Sequence, residues 1–81
     1  MKIYDFNGRK NISGQRVREA RLKKHLSQSE LAAKLQVEGI VIERDSVSRI
    51  ELGTRFIPDY ELPALARVLN VTVEWLLGMV D

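Results

Sequence analysis

The chain has 81 residues, of which 44% are apolar and 30% charged, with a formal net charge of +2. That balance suits one soluble globular domain and excludes a disordered segment. No apolar run approaches the ~20 residues of a bilayer span. With no cysteine and His25 as the single histidine, disulfide scaffolds, zinc and haem are excluded as well. The stretch Met1–Gly8 lacks the apolar core of a secretory signal, so a cytoplasmic location is expected. Residues 9–24 carry a net +6 and residues 56–81 a net −3. A basic end of this kind attracts polyanions, although a charge run alone equally describes a solvated helix face.

Five helices and no strand can be read, an all-α fold, with residues 1–11 as a flexible N-terminal arm and residues 12–81 as the domain. The first helix is expected over about residues 13–24, capped by Ser13, with Val17, Ala20 and Arg21 on one face. His25 sits where the chain reverses. Ser27-Gln28-Ser29-Glu30 fits a capping box and opens the second helix, whose buried stripe is Leu31, Ala32 and Leu35 and which ends near Gly39. Residues 36–43 include Ile40-Val41-Ile42, too short and isolated for a sheet, and are read as a loop with Ile42 plugging the core.

The third helix is expected from Arg44 to Leu52, stopped by Gly53. At 100° per residue Val47 and Ile50 face inward, while Asp45, Ser48, Arg49 and Leu52 face outward with Arg44 at the flank. The fourth helix should start near Asp59 as cap, tolerate Pro63 in its first turn, bury Leu62, Leu65, Ala66 and Leu69, and end near Leu69. The fifth runs from Thr72 through Trp75, Leu76 and Leu77 to Gly78.

Two short helices, a connection and a helix with an outward polar face form the helix-turn-helix plan. Four motifs in order sharpen it: Arg16-Val17-Arg18 with Ala20-Arg21, Leu26-Ser27-Gln28-Ser29-Glu30-Leu31-Ala32, Ser46-Val47-Ser48-Arg49-Ile50-Glu51-Leu52-Gly53, and Leu65-Ala66 followed by Leu69-Asn70-Val71. Over roughly residues 12–78 the sequence resembles the phage-repressor or Cro-type helix-turn-helix domain, the xenobiotic-response-element family. It departs from that pattern in three ways. His25 replaces the common Gly, the segment from Leu35 to Arg44 is about five residues longer than a 3–4-residue turn requires, and the Tyr60–Pro63 stretch is offset by about one residue.

The resemblance implies a compact five-helix domain that sets residues 44–52 in the major groove of double-stranded DNA. Arg44, Asp45 and Arg49 are then the base-reading candidates, supported by Ser46 and Ser48. Arg binds guanine O6 and N7, and Asp accepts from cytosine N4. Asp45 has an alternative role as helix cap or as an i, i+4 restraint on Arg49. Ser27, Gln28, Thr54, Arg55 and Arg16 are the phosphate candidates, with Arg9 and Lys10 as further possibilities. A helix N-terminus such as that at Gln28 suits an anion. Arg21 and Glu51 match a structural ion pair.

The implied function is a sequence-specific regulator, most simply a repressor. It would bind a pseudo-palindrome as a weak homodimer formed through Trp75, Met79 and Val80, although Trp75 equally closes the core. The alternative is an antitoxin or adaptor-type protein-interaction module with an unidentified protein partner. An enzyme is not expected: there is no Gly-rich phosphate loop, no nucleophile beside a base, no metal set and no sign of a cofactor.

Overall fold

The computed structural model describes residues 5–81, and the second helix begins in it as its local chemistry dictates. The Ser27 hydroxyl accepts from the Glu30 N–H at 3.0 Å, and the Glu30 carboxylate accepts from the Ser27 N–H at 2.7 Å. That reciprocal box fixes the start of α2 (Gln28–Val37). It follows α1 (Gly14–Lys23) and precedes α3 (Arg44–Leu52), α4 (Glu61–Leu69) and the single-turn α5 (Val73–Leu76). The fold is all-α. Among the described residues the nearest approach to a sheet is one isolated bridge between Phe6 and Arg9.

All five helices end alike. His25, Gly39, Gly53, Asn70 and Gly78 take positive φ, and the next residue's N–H reaches back five positions, as from Leu26 to the Arg21 carbonyl at 3.1 Å and from Thr54 to the Arg49 carbonyl at 2.9 Å. At His25 (φ 57°) this left-handed turn carries a side chain where glycine would be unstrained.

The core is one cluster. Val17 and Ala20 from α1 meet Leu31, Ala32 and Leu35 from α2, Val47 and Ile50 from α3, Ala64, Leu65, Ala66 and Leu69 from α4, and Leu76 from α5. Each large side chain in it contributes about 1.5–3 kcal/mol relative to exposure. The helix α3 packs on α1 and α2, α4 crosses both of those, and α5 closes the end against α4 and α1. The long connection between α2 and α3 is a loop, and Ile42 plugs the core as expected, joined by Ile40. Gln36 Nε2 donates to the Ile42 carbonyl at 2.7 Å and pins the loop to α2.

Several starts differ from expectation. Ser13 is buried with helical backbone angles, so its hydroxyl does not cap α1. Asn11 takes that place, its Oδ1 accepting from the Gly14 N–H at 2.8 Å. Asp59 does not cap α4. A backbone turn closes first, with the Glu61 N–H donating to the Pro58 carbonyl at 2.9 Å, and the helix starts two residues after Asp59. Pro63 then falls in the first turn, where no N–H is needed. Ala64 is buried in this helix, while Leu62 stays half-buried at its rim. Of the arm expected over residues 1–11, residues 1–4 lie outside the described residues, and residues 9–11 are bonded to the end of α3. The Lys10 N–H donates to the Gly53 carbonyl at 2.7 Å, and Asn11 Nδ2 donates to the carbonyls of Ile50 at 3.1 Å and Arg55 at 2.8 Å.

Two predictions follow from this packing. An exposed glycine-to-alanine change within a helix usually stabilises by up to about 1 kcal/mol. A Cβ on Gly14, however, would run into the Ile50 carbonyl oxygen. Gly14→Ala should therefore lose about 1–3 kcal/mol, and a thermal midpoint equal to or above that of the wild type would refute the close approach of α1 and α3. In the capping box, the hydrogen bond from the Ser27 N–H, followed by that with the Ser27 side chain, holds the Glu30 carboxyl below its ordinary value of 4.5. A depressed folded value means that the contribution is full above about pH 4.5 and is lost as pH falls through the folded value. Glu30→Gln should flatten this acid limb of the stability profile and converge with the wild type at its low end. Parallel profiles would contradict the linkage.

Candidate nucleic-acid interface

The interface is built outward from a buried charge. Glu51 sits on the inner side of α3, where its carboxylate meets Arg21 of α1 through Nε at 2.6 Å and NH2 at 2.9 Å. The third Arg21 nitrogen donates to the Leu26 carbonyl at 2.9 Å, and Gln28 Nε2 donates to Glu51 Oε1 at 3.0 Å. The Arg21 and Glu51 side chains are 9% and 3% exposed. The hydrogen bond to Glu51 raises the Arg21 pKa against the opposing effect of burial, so the guanidinium keeps its charge. Among the described residues no buried side-chain nitrogen or oxygen lacks a partner. Helices α1, α2 and α3 thus share one satisfied polar node.

With its inner face held by Val47, Ile50 and Glu51, α3 turns the opposite face to solvent. Arg44, Asp45, Arg49 and Leu52 are exposed, and Ser46 and Ser48 are half-buried along the edges. Asp45 neither caps the helix nor restrains Arg49. It pairs with the adjacent Arg44 at 3.2 Å, both side chains being more than half exposed. Such a pair contributes about 0–1 kcal/mol and yields readily to a better partner. No hydrogen bond or salt bridge among the described residues ties down the Arg49 guanidinium.

The residues singled out around α3 differ in what occupies them. Ser27 is exposed and accepts from Glu30, which leaves its own hydroxyl proton to donate. Gln28 spends its side-chain nitrogen on Glu51, so what it offers outward is the helix N-terminus. Thr54 is exposed immediately after α3. Arg55 is engaged elsewhere. Its NH1 and NH2 grip the Glu61 carboxylate at 2.9 and 3.2 Å, and NH1 also donates to the Phe56 carbonyl at 3.1 Å. The hydrogen bond to Glu61 raises the Arg55 pKa, and the pair ties the α3–α4 loop to the start of α4. Arg16 is engaged at the other end of the chain. It donates to the carbonyls of Trp75 and Val80, each at 2.7 Å, and lies 4.7 Å over the Trp75 ring. Trp75 is half-buried beneath it, whereas Met79 and Val80 are exposed.

Three residues that matter to this geometry were not assigned these contacts from the sequence. Arg9 reaches from the arm to the Glu51 carbonyl at 3.3 Å, Asn11 binds the end of α3, and Glu61 is almost fully buried against Arg55. Only Glu61 offered a clue, as an acidic residue in the first turn of a helix.

The arrangement is a pair of helices, α2 and α3, locked through Gln28 and Glu51, with the second exposing a polar face. A helix-turn-helix family model matches residues 17–76, from within α1 to the end of α5, and takes in all four motif groups except Arg16. The chain belongs to this family, in its Cro/C1 branch. It is therefore a DNA-binding helix-turn-helix domain of a kind that regulates transcription, with double-stranded DNA as its partner. Compared with curated proteins, the sequence matches none. Among the described residues, no helix of this helix-turn-helix domain is long and apolar enough to cross a membrane, and no three His, Cys, Asp or Glu side chains are grouped as a metal site requires.

Removing one partner of the buried pair exposes its role. Arg21→Met should cost about 3–5 kcal/mol, because Glu51 is left charged and buried with Gln28 alone. Adding Glu51→Leu should recover part of that loss in urea unfolding. A double variant as unstable as the single one would show that the loss comes from packing and not from the orphaned charge.

Proposed function

We propose that this domain is a sequence-specific repressor that lays α3 in the major groove of a pseudo-palindromic operator and binds as a homodimer. The observation that carries this reading is the outward face of α3, where Arg44, Asp45, Ser48 and Arg49 are presented together on a helix whose opposite side is immobilised by the Arg21–Glu51–Gln28 node. In this reading Arg49 and Arg44 pair with guanine O6 and N7, Asp45 accepts from cytosine N4, and Ser46 and Ser48 add single hydrogen bonds. Ser27, the α2 N-terminus at Gln28, and Thr54 hold phosphates on either side. Arg16 and Arg55 fall outside the phosphate set, since their guanidinium groups already serve carbonyls and Glu61.

The homodimer part of the reading rests on Met79 and Val80, which leave apolar surface exposed at the C-terminal tail, with Trp75 beside them under Arg16. Two copies related by a two-fold axis would place their recognition helices about one helical turn apart, roughly 34–36 Å. Repression then needs no more than occupancy of a promoter. Such a regulator works in the cytoplasm.

Selection of bound duplexes from a random library at two salt concentrations tests the proposal. An enriched pseudo-palindrome is the expected result, and its half-site spacing reports the dimer. Binding without enrichment would reduce the domain to a nonspecific electrostatic binder. On the selected duplex Arg49→Ala should lose about 1–3 kcal/mol and relax the preference at one position, whereas Gln28→Ala should weaken binding evenly across sequences. Equal losses on all duplexes for Arg49→Ala would remove it from base reading.

A further inference from the structure

The outward face of α3 holds one residue that hydrogen-bond chemistry does not explain. Leu52 is 67% exposed, and among the described residues it is the only exposed large hydrophobic side chain on α3. It is not part of the core cluster or of the partly buried residues packed against it. Its position is not incidental to the face. Leu52 lies four residues after Ser48, three after Arg49 and seven after Asp45, so all four share one stripe of the helix. Arg49, its neighbour one turn back, has no partner among the described residues.

The stripe is short on the scale of the groove it would enter. Nine residues at about 1.5 Å each make α3 about 13.5 Å long. The major groove is about 12 Å wide. A helix of this length that enters the groove brings its last turn with it as well as its first. The chemistry available to a leucine there is narrow. Of the four bases only thymine presents an apolar group in the major groove, its C5-methyl.

We propose that Leu52 is a specificity-determining residue that packs on the C5-methyl group of a thymine next to the base read by Arg49. This rests on the reading of α3 as a major-groove helix. The stripe then combines two kinds of recognition, charged and polar groups at Asp45, Ser48 and Arg49 and an apolar contact at its C-terminal end. Leucine at this position selects for the methyl group in two ways. It gains contact with the methyl, and it offers nothing to the exposed cytosine amine or guanine oxygen, which lose water without replacement.

The test exchanges thymine for deoxyuridine, which removes the methyl group and nothing else. The wild-type protein is titrated against the duplex selected from the random library and against copies in which each thymine in turn is deoxyuridine. Burial of one methylene-sized group is worth about 0.8 kcal/mol, so one substituted position should weaken binding about fourfold. Leu52→Ala should bind the unmodified duplex more weakly by a similar factor and be indifferent to deoxyuridine at that position. Leu52→Met, which keeps an apolar side chain, should retain the penalty. Thermal unfolding of both variants should match the wild type, because Leu52 supports no core contact. Unchanged affinity in Leu52→Ala, or a deoxyuridine penalty that persists in that variant, would overturn the assignment to Leu52 while leaving the DNA-binding reading intact. If the wild type selects no duplex at all, the major-groove reading itself falls, and this proposal with it.

Discussion

The bond between Arg21 and Glu51 is the constraint on which the rest of the molecule depends. It joins the first helix to the third, and through the Leu26 carbonyl and Gln28 it also holds the turn between the first two helices and the start of the second. A hydrophobic contact would hold these helices together equally well, and a buried ion pair is weak evidence for stability on its own. What the pair adds is direction. Two parallel hydrogen bonds from a planar guanidinium fix the rotation of α3 about its axis, which apolar packing among Val47, Ile50 and their neighbours leaves softer. The face that α3 presents outward is therefore determined from within the core.

The sequence made the local features legible and left the distant ones hidden. The capping box at Ser27 and Glu30, the stop at Gly53 and the helical stripe of α3 all depend on residues within a few positions of each other, and each sits where its spacing indicated. The outward set Arg44, Asp45, Arg49 and Leu52 follows from 100° periodicity alone once Val47 and Ile50 are taken as core. Ser13 and Asp59 show the limit of the same reasoning. Both are competent capping residues, but Asn11 supplies the first cap from outside the helix, and a backbone turn displaces the second. The partners of Arg16 lie 59 and 64 residues away, and that of Asn11 in α3 lies 39 away, distances over which no periodicity speaks. The pair of Arg55 with Glu61 is only six residues apart, yet it crosses a loop end, where helical spacing has no meaning.

The long connection between α2 and α3 shows how the domain absorbs additional chain. Ile40 and Ile42 point into the core, Val41 between them is exposed, and Gln36 holds the Ile42 carbonyl. The extra residues are thus anchored at two core positions, and α3 still begins at Arg44 with the pairing of Gln28 and Glu51 intact. Length was added to the turn without loosening the geometry that it connects.

Asn11 carries a consequence for how motion can pass through the domain. One carboxamide takes the first free N–H of α1, the Ile50 carbonyl near the end of α3 and the Arg55 carbonyl of the following loop. Three chain segments that would otherwise have separate freedoms are reduced there to one. Residues 9 and 10 are consequently coupled to α3 as a handle is to a blade. A force applied there, by a ligand or by a neighbouring molecule, reaches the C-terminal end of α3 through the polar contacts of Arg9, Lys10 and Asn11 without first disturbing the hydrophobic core.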